Sequence, residues 1–290
     1  MKQTFIVKES RELPTEIRPL LFNLYSFDKA PNLFNLPPDC SLYTGWRGNE
    51  LVAAIHVDYR DFITAHQIRM TDATYKDPTS LRGLIDHVLY QLLPQIRQKT
   101  TISLNFQKNH PFQRIDSFTA IGFMPHLETT VYEVSLPPYQ KDTYAQWKLC
   151  LEYPETYESW LASRNQYAEL LPEALPLTDR AINDFHQKQG AFHSLRRNGI
   201  IVGTMYSRIE FSRCYIHELC LMCDPPMLQE GLSFIQQSSY LKLKHIQDIM
   251  ISTTSRQSNI RDTLLKRNAT ETTSTTYTFL KELLPQPYLR

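Results

Sequence analysis

The side chains best suited to chemistry crowd into one short stretch. Cys214, His217, Cys220 and Cys223 recur every third residue, and all four are types that bind zinc. A structural zinc needs four ligands converging tetrahedrally, usually as two separated pairs. The run CYIHELCLMC is rich in strand formers, and successive side chains on a strand alternate faces. Cys214 and Cys220 are then expected on one face, His217 and Cys223 on the other. One ion cannot gather all four, so no metal site is expected. Glu218 lies inside the same run with two roles open to it. It could accept a proton at a reacting amine, or pair with a Lys or Arg at a strand edge. His56 and Asp58 share one strand face, with no third ligand in view.

Phosphate chemistry calls for exposed backbone N–H groups, which glycine-rich loops supply. Eight glycines in 290 residues is under half the roughly 7% of average proteins. None are adjacent or separated by one residue, and no phosphate-loop or nucleophile-elbow pattern occurs. Where a cradle would stand, Asp77-Pro78 and Asp224-Pro225 each start a helix. Asp is a strong N-cap and Pro suits the first helical position. Such a carboxylate occupies the free N–H groups and repels a pyrophosphate. Around the first cap, the hydroxyls of Thr79 and Ser80 could meet a phosphate or simply serve the first turn. The pair Arg82-Gly83 falls within the helix. Asn109 opens a later helix, as a cap or a ligand contact.

The background is neutral. With 31 Lys+Arg against 30 Asp+Glu and 42% hydrophobic residues, the chain builds a large core without a field that attracts nucleic acid or anionic membrane. No apolar run approaches a membrane span, and the opening residues hold too short an apolar stretch for a signal peptide. Five cysteines, an odd number, point to free thiols in a reducing, cytoplasmic compartment.

The elements that position these residues occur twice. Asn49-Glu50-Leu51 feeds a strand, and Asn198-Gly199-Ile200 does so 149 residues later. The two Asp-Pro helix starts, and the β-rich segments Thr101–Phe106 and Asp248–Thr254, are each 147 residues apart. Final strands Thr129–Leu136 and Thr273–Leu280 follow at 144. A nearly constant offset argues for two copies of one β/α unit, with domains at 1–138 and 139–290.

This order, helix, antiparallel strands, strand, helix, strand, helix, strand, resembles the tandem form of the GNAT superfamily of acyl-CoA-dependent N-acyltransferases. Asn109 to Phe123 looks like the family's late helix, closed by a Gly-Phe, with Asn268 standing for the glycine in the second copy. Ile216 to Leu221 looks like the acidic strand before the cofactor loop. The resemblance implies an α/β (α+β) chain with two mixed, mostly antiparallel sheets flanked by helices. It further implies acetyl-CoA as co-substrate, bound near Thr79, Ser80, Arg82, Gly83 and Asn109, with Glu218 as catalytic proton acceptor. The acyl acceptor would be a small-molecule or peptide amine, with neither nucleic acid nor membrane as partner and a homodimer possible. Both loops lack the family's glycines, and Phe118 and Leu264 stand where a late-helix Tyr would protonate the leaving thiolate. The alternative is a catalytically degenerate GNAT-fold binding or structural module.

Overall fold

A computed structural model describes residues 4–11, 19, 39–107, 118–135, 146–180, 182, 190–238 and 246–285. Two compact units result. The first comprises residues 1–126 with 276–290, the second residues 127–275. The repeat in the sequence turns over near 138, but the compact units do not divide there. Strand pairing explains the difference. The last strand of the first half pairs inside the second unit, and the end of the last strand of the chain pairs inside the first.

In the first unit, β1 (Phe5–Ser10), β2 (Cys40–Arg47), β3 (Glu50–Asp58) and β4 (Gln67–Tyr75) form an antiparallel run. The short helix α1 (Phe62–Ala65) joins β3 to β4, and α2 (Pro78–Leu92) follows β4. Strand β5 (Thr100–Gln107) then pairs parallel with β4, and residues 276–283 pair antiparallel with β5. The second unit repeats the pattern. Strands β7 (Trp147–Leu151), β8 (Gly190–Arg197), β9 (Ile200–Glu210) and β10 (Arg213–Leu221) are antiparallel. Helix α3 (Tyr157–Asn165) lies between β7 and β8, and α4 (Pro225–Gln237) follows β10. Strand β11 (Asp248–Thr254) pairs parallel with β10 and antiparallel with β6 (Met124–Ser135). Helix α5 (Ser258–Leu265) leads to β12 (Thr270–Leu283). A parallel pair needs a crossover, and α2 and α4 are those crossovers.

Each crossover helix buries an apolar stripe on its sheet. Leu81, Leu84, Ile85 and Val88 of α2 meet Ile55, Ile68, Met70, Ile102 and Leu104. Leu228, Leu232 and Ile235 of α4 meet Leu195, Met205, Ile216, Ile249 and Ile251. Each such side chain contributes about 1.5–3 kcal/mol of transfer energy.

The duplication extends to single residues. Gly83 and Gly231, 148 residues apart, sit in the two helices under an aromatic ring from the edge strand of each unit, β1 or β7. A Cβ added to Gly83 would lie 3.3 Å from the Phe5 ring, and one on Gly231 3.2 Å from the Trp147 ring. Gly122 and Asn268 both take left-handed backbone, φ +82° and +59°. The N–H of the following residue, Phe123 or Ala269, bonds back to the carbonyl of Phe118 or Leu264. Asn is the non-glycine residue that best tolerates this conformation. The Asn198-Gly199 turn has both φ values positive, as its tight hairpin requires.

All five cysteines are free, and no helix among the described residues is long and apolar enough to cross a membrane.

Candidate functional site

Three features of each unit converge on the end of its parallel strand pair: the crossover helix N-terminus, a bulge, and a split between strands. In the first unit, Asp77 caps α2 from extended backbone. Its Oδ1 accepts the Ser80 N–H at 2.9 Å, and its Oδ2 accepts the Ser80 hydroxyl at 2.7 Å. Arg47 Nη2 donates to Ser80 Oγ at 2.8 Å and lies 3.4 Å from Asp77 Oδ2. Burial acts to raise the Asp77 pKa, but the Ser80 hydrogen bonds and the Arg47 charge together hold it below the ordinary value. Asp224 caps α4 alike, accepting the Met227 N–H at 3.3 Å.

Four of the expected cofactor residues, Thr79, Ser80, Arg82 and Gly83, are therefore close in space but engaged or turned outward. Ser80 is buried in the cap cluster. Thr79 is exposed on the first turn. Arg82 faces solvent and pairs with Asp86 of its own helix at 3.8 Å. Gly83 makes room for the Phe5 ring, not for a phosphate. Asn109 lies outside the described residues. The donors that a CoA pyrophosphate needs are thus taken by the chain's own carboxylates, and these residues do not fit it.

Both units also carry a bulge just past the parallel register. On β10, His217 and Glu218 together oppose Tyr206 of β9. On β4, Asp72 and Ala73 together oppose Ile55 of β3. The bulge shifts the alternation. Cys214, Ile216 and Leu219 all lie in the α4 core, so Glu218 and Cys220 face the other way. This corrects the expectation that Cys214 and Cys220 share a face, because strict alternation holds only in an unbulged strand. No group of three or more metal-binding side chains assembles among the described residues. Burial pushes the Cys214 and Cys220 thiols up to about 12, leaving them protonated and unreactive.

Re-aimed by the bulge, Glu218 meets Arg164 at the end of α3. Arg164 Nε donates to Oε2 at 3.0 Å and Nη2 to Oε1 at 2.5 Å. The Glu173 N–H adds a bond to Oε1 at 3.2 Å. Remaining Arg164 donors go to the Leu175 carbonyl at 2.9 Å and the Glu173 carbonyl at 2.7 Å. The Arg164 side chain is fully buried and that of Glu218 is 7% exposed. Of the two roles open to Glu218, ion pairing is the one this geometry displays. Arg164 escaped sequence reasoning because its partner lies 54 residues away.

Beyond Met70–Leu104 and Ile216–Ile251 the parallel registers end, although β4 and β10 continue. In the second unit a side chain spans the gap. Gln257, buried at the start of α5, donates Nε2 to the Leu219 carbonyl of β10 at 2.8 Å. Its Oε1 accepts the Thr254 N–H of β11 at 3.1 Å.

The faces opposite the crossover helices differ. The second unit packs Tyr157, Trp160, Phe192 and Leu177 there, with His217 stacked between Tyr206 and Tyr215. The first unit places charge there: Arg69 pairs with buried Asp61, Arg60 with Asp58, and Arg69 also reaches Gln67 Oε1 at 3.2 Å. The buried Ser103 Oγ and Asn105 Oδ1 on β5 find no hydrogen-bond partner among the described residues.

No protein-family model matches the chain, and no curated protein does. Solved structures do. A GCN5-related N-acetyltransferase from Sphaerobacter thermophilus is similar over 98% of both chains, at 14% identity and a TM-score of 0.58. A tandem GNAT protein from the clavulanic acid biosynthesis pathway matches 98% of this chain and 100% of its own, at 11% identity and TM-score 0.59. A GCN5-related N-acetyltransferase from Anabaena variabilis matches 95% of this chain and 72% of its own, at 12% identity and TM-score 0.58. The chain has the tandem GNAT fold.

Proposed function

We propose that this chain is a GNAT-fold binding or structural module that has given up the standard mode of acyl-CoA binding in both units. One observation carries the reading. At both crossover helices an Asp carboxylate sits where a pyrophosphate would need free N–H donors. The locked Glu218 and the bridging Gln257 support it in the second unit. The cytoplasm is the proposed compartment, resting on five free thiols.

A second reading is an N-acyltransferase that moves an acetyl or other acyl group from acyl-CoA to a small-molecule or peptide amine. Arg47 favours it. Its guanidinium, 40% exposed, stands at the α2 cap, where it could meet a phosphate in place of a glycine loop. A thiol-release assay with acetyl-CoA and a panel of amines separates the two. The module reading expects no amine-dependent release. Amine-dependent release that is lost in Arg47→Gln would establish the acyltransferase instead.

A further inference from the structure

One sheet face of the first unit is polar and buried where its counterpart is apolar. Ile68 and Met70 of β4, with Ile102 and Leu104 of β5, point into the α2 core. By strand alternation, Gln67, Arg69, Ser103 and Asn105 point the other way. Register sets Arg69 between Asp58 of β3 and Ser103, and sets Thr278 of β12 beside Asn105. Gln67, Arg69, Ser103 and Thr278 are all buried. The second unit shows what this fold does where the face only packs. Counted from the last parallel pairs, Met70–Leu104 and Ile216–Ile251, Tyr215 stands in the place of Arg69 and Met250 in that of Ser103. Tyr215 stacks on His217, and Met250 is buried. Ser103 by contrast is 1% exposed, and neither its Oγ nor the buried Asn105 Oδ1 has a hydrogen-bond partner among the described residues. A buried polar group left unpaired destabilises a fold. Departures from apolar packing that cost stability gather at functional sites.

We infer that this face of the first unit binds an uncharged ligand bearing several hydroxyls, a sugar or a cyclic polyol, with Ser103 and Asn105 as its specificity-determining contacts. The charges set the first property. Arg69 is paired with Asp61, and Arg60 with Asp58, so the described charges on this face are already matched. Hydrogen-bond types set the second. Asn105 Oδ1 needs a donor, whereas Ser103 Oγ both gives and takes a hydrogen bond; a ligand hydroxyl can answer either one. Spacing sets the number. Two residues apart on a strand is about 6.6 Å, whereas one water or hydroxyl making two bonds of ~2.8 Å spans at most ~5.6 Å. Two polar groups on one ligand therefore suit the pair better than a single water. The site rests on the module reading above and gives that module its ligand.

Saturation-transfer NMR on the full chain, with glucose, mannose and myo-inositol as probes, tests this. Wild type is expected to transfer saturation to at least one probe, and titration of that signal gives a dissociation constant. Ser103→Ala and Asn105→Ala are each expected to weaken binding roughly threefold to tenfold, and the double variant to abolish the transfer. No transfer from wild type to any probe overturns the inference, as does transfer that both single variants retain in full. Putrescine and succinate serve as charged controls. Binding of either one that depends on Ser103 or Asn105 would contradict the uncharged class. Thermal unfolding without probe supplies a second readout. Ser103→Ala removes an unpaired buried hydroxyl and adds no bulk, so it is expected to melt at or above wild type. A purely structural Ser103 would lower the melting temperature instead, and that result also overturns the site. Acetyl-CoA enters none of these measurements, so their failure is distinguishable from failure of the module reading.

Discussion

The two units share a fold, a helix cap, a bulge and a split, yet they spend their second faces differently. The first unit places ion pairs there, a buried one of Asp61 with Arg69 and a half-buried one of Asp58 with Arg60. The second stacks aromatic rings and commits its one buried carboxylate of the bulge, Glu218, to Arg164. The crossover-helix face is conserved in kind because any sheet must bury an apolar surface. The other face is freer to diverge, and it is there that a duplicated fold separates its copies.

The sharpest way to break this comparison is to strip one buried pair from each unit. Arg164→Ala leaves Glu218 charged in a dry site and frees the loop carbonyls of Glu173 and Leu175. We expect a loss near the top of the ~3–5 kcal/mol range for broken buried pairs, read by urea unfolding. Arg69→Ala is expected to cost less, because the Arg69 side chain is slightly exposed, whereas Arg164 is wholly buried and also holds two loop carbonyls.

Acid should distinguish the units next. Burial lowers the His193 pKa from 6.5 to about 4, so the folded second unit holds it neutral. Its contribution is full above pH 6.5 and is lost as pH falls from 6.5 toward 4. That amounts to ~3 kcal/mol by linkage. A His193→Met chain is expected to show a flatter stability profile between pH 7 and 4.5 than wild type.

The caps sharpen the comparison further. Asp77 accepts two bonds from Ser80 and faces Arg47, whereas Asp224 accepts one long bond. Asp77→Ala is expected to cost ~2 kcal/mol and Asp224→Ala ~0.5–1 kcal/mol, compared by chemical denaturation. The smallest effect belongs to the left-handed pair. Asn268→Gly is expected to stabilise by ~0.5 kcal/mol, and Gly122→Asn to destabilise by a similar amount.

How far the sequence reached follows the range of each interaction. The Asp-Pro caps, the Asn-Gly turn and the Asn268 helix end rest on neighbouring residues, and all were legible. So was β11, at Asp248–Thr254. The edge strands β1 and β7 were not read. They are short, and the packing that fixes them joins Phe5 to Gly83 and Trp147 to Gly231 across distant sequence. The matching offset of those two glycines was an available clue. The facing of Cys220 was misread because a bulge leaves no mark in composition. Arg164 and the bridging role of Gln257 depend on strands meeting in three dimensions, and local pattern carries no trace of either. The exchange of last strands between the two units is equally non-local.

The central claim is that both cofactor positions are filled by the chain's own groups. Isothermal titration of wild type with acetyl-CoA at neutral pH tests it most directly. The account predicts no saturable heat up to millimolar acetyl-CoA. Saturable binding with one site per chain at micromolar affinity would contradict it.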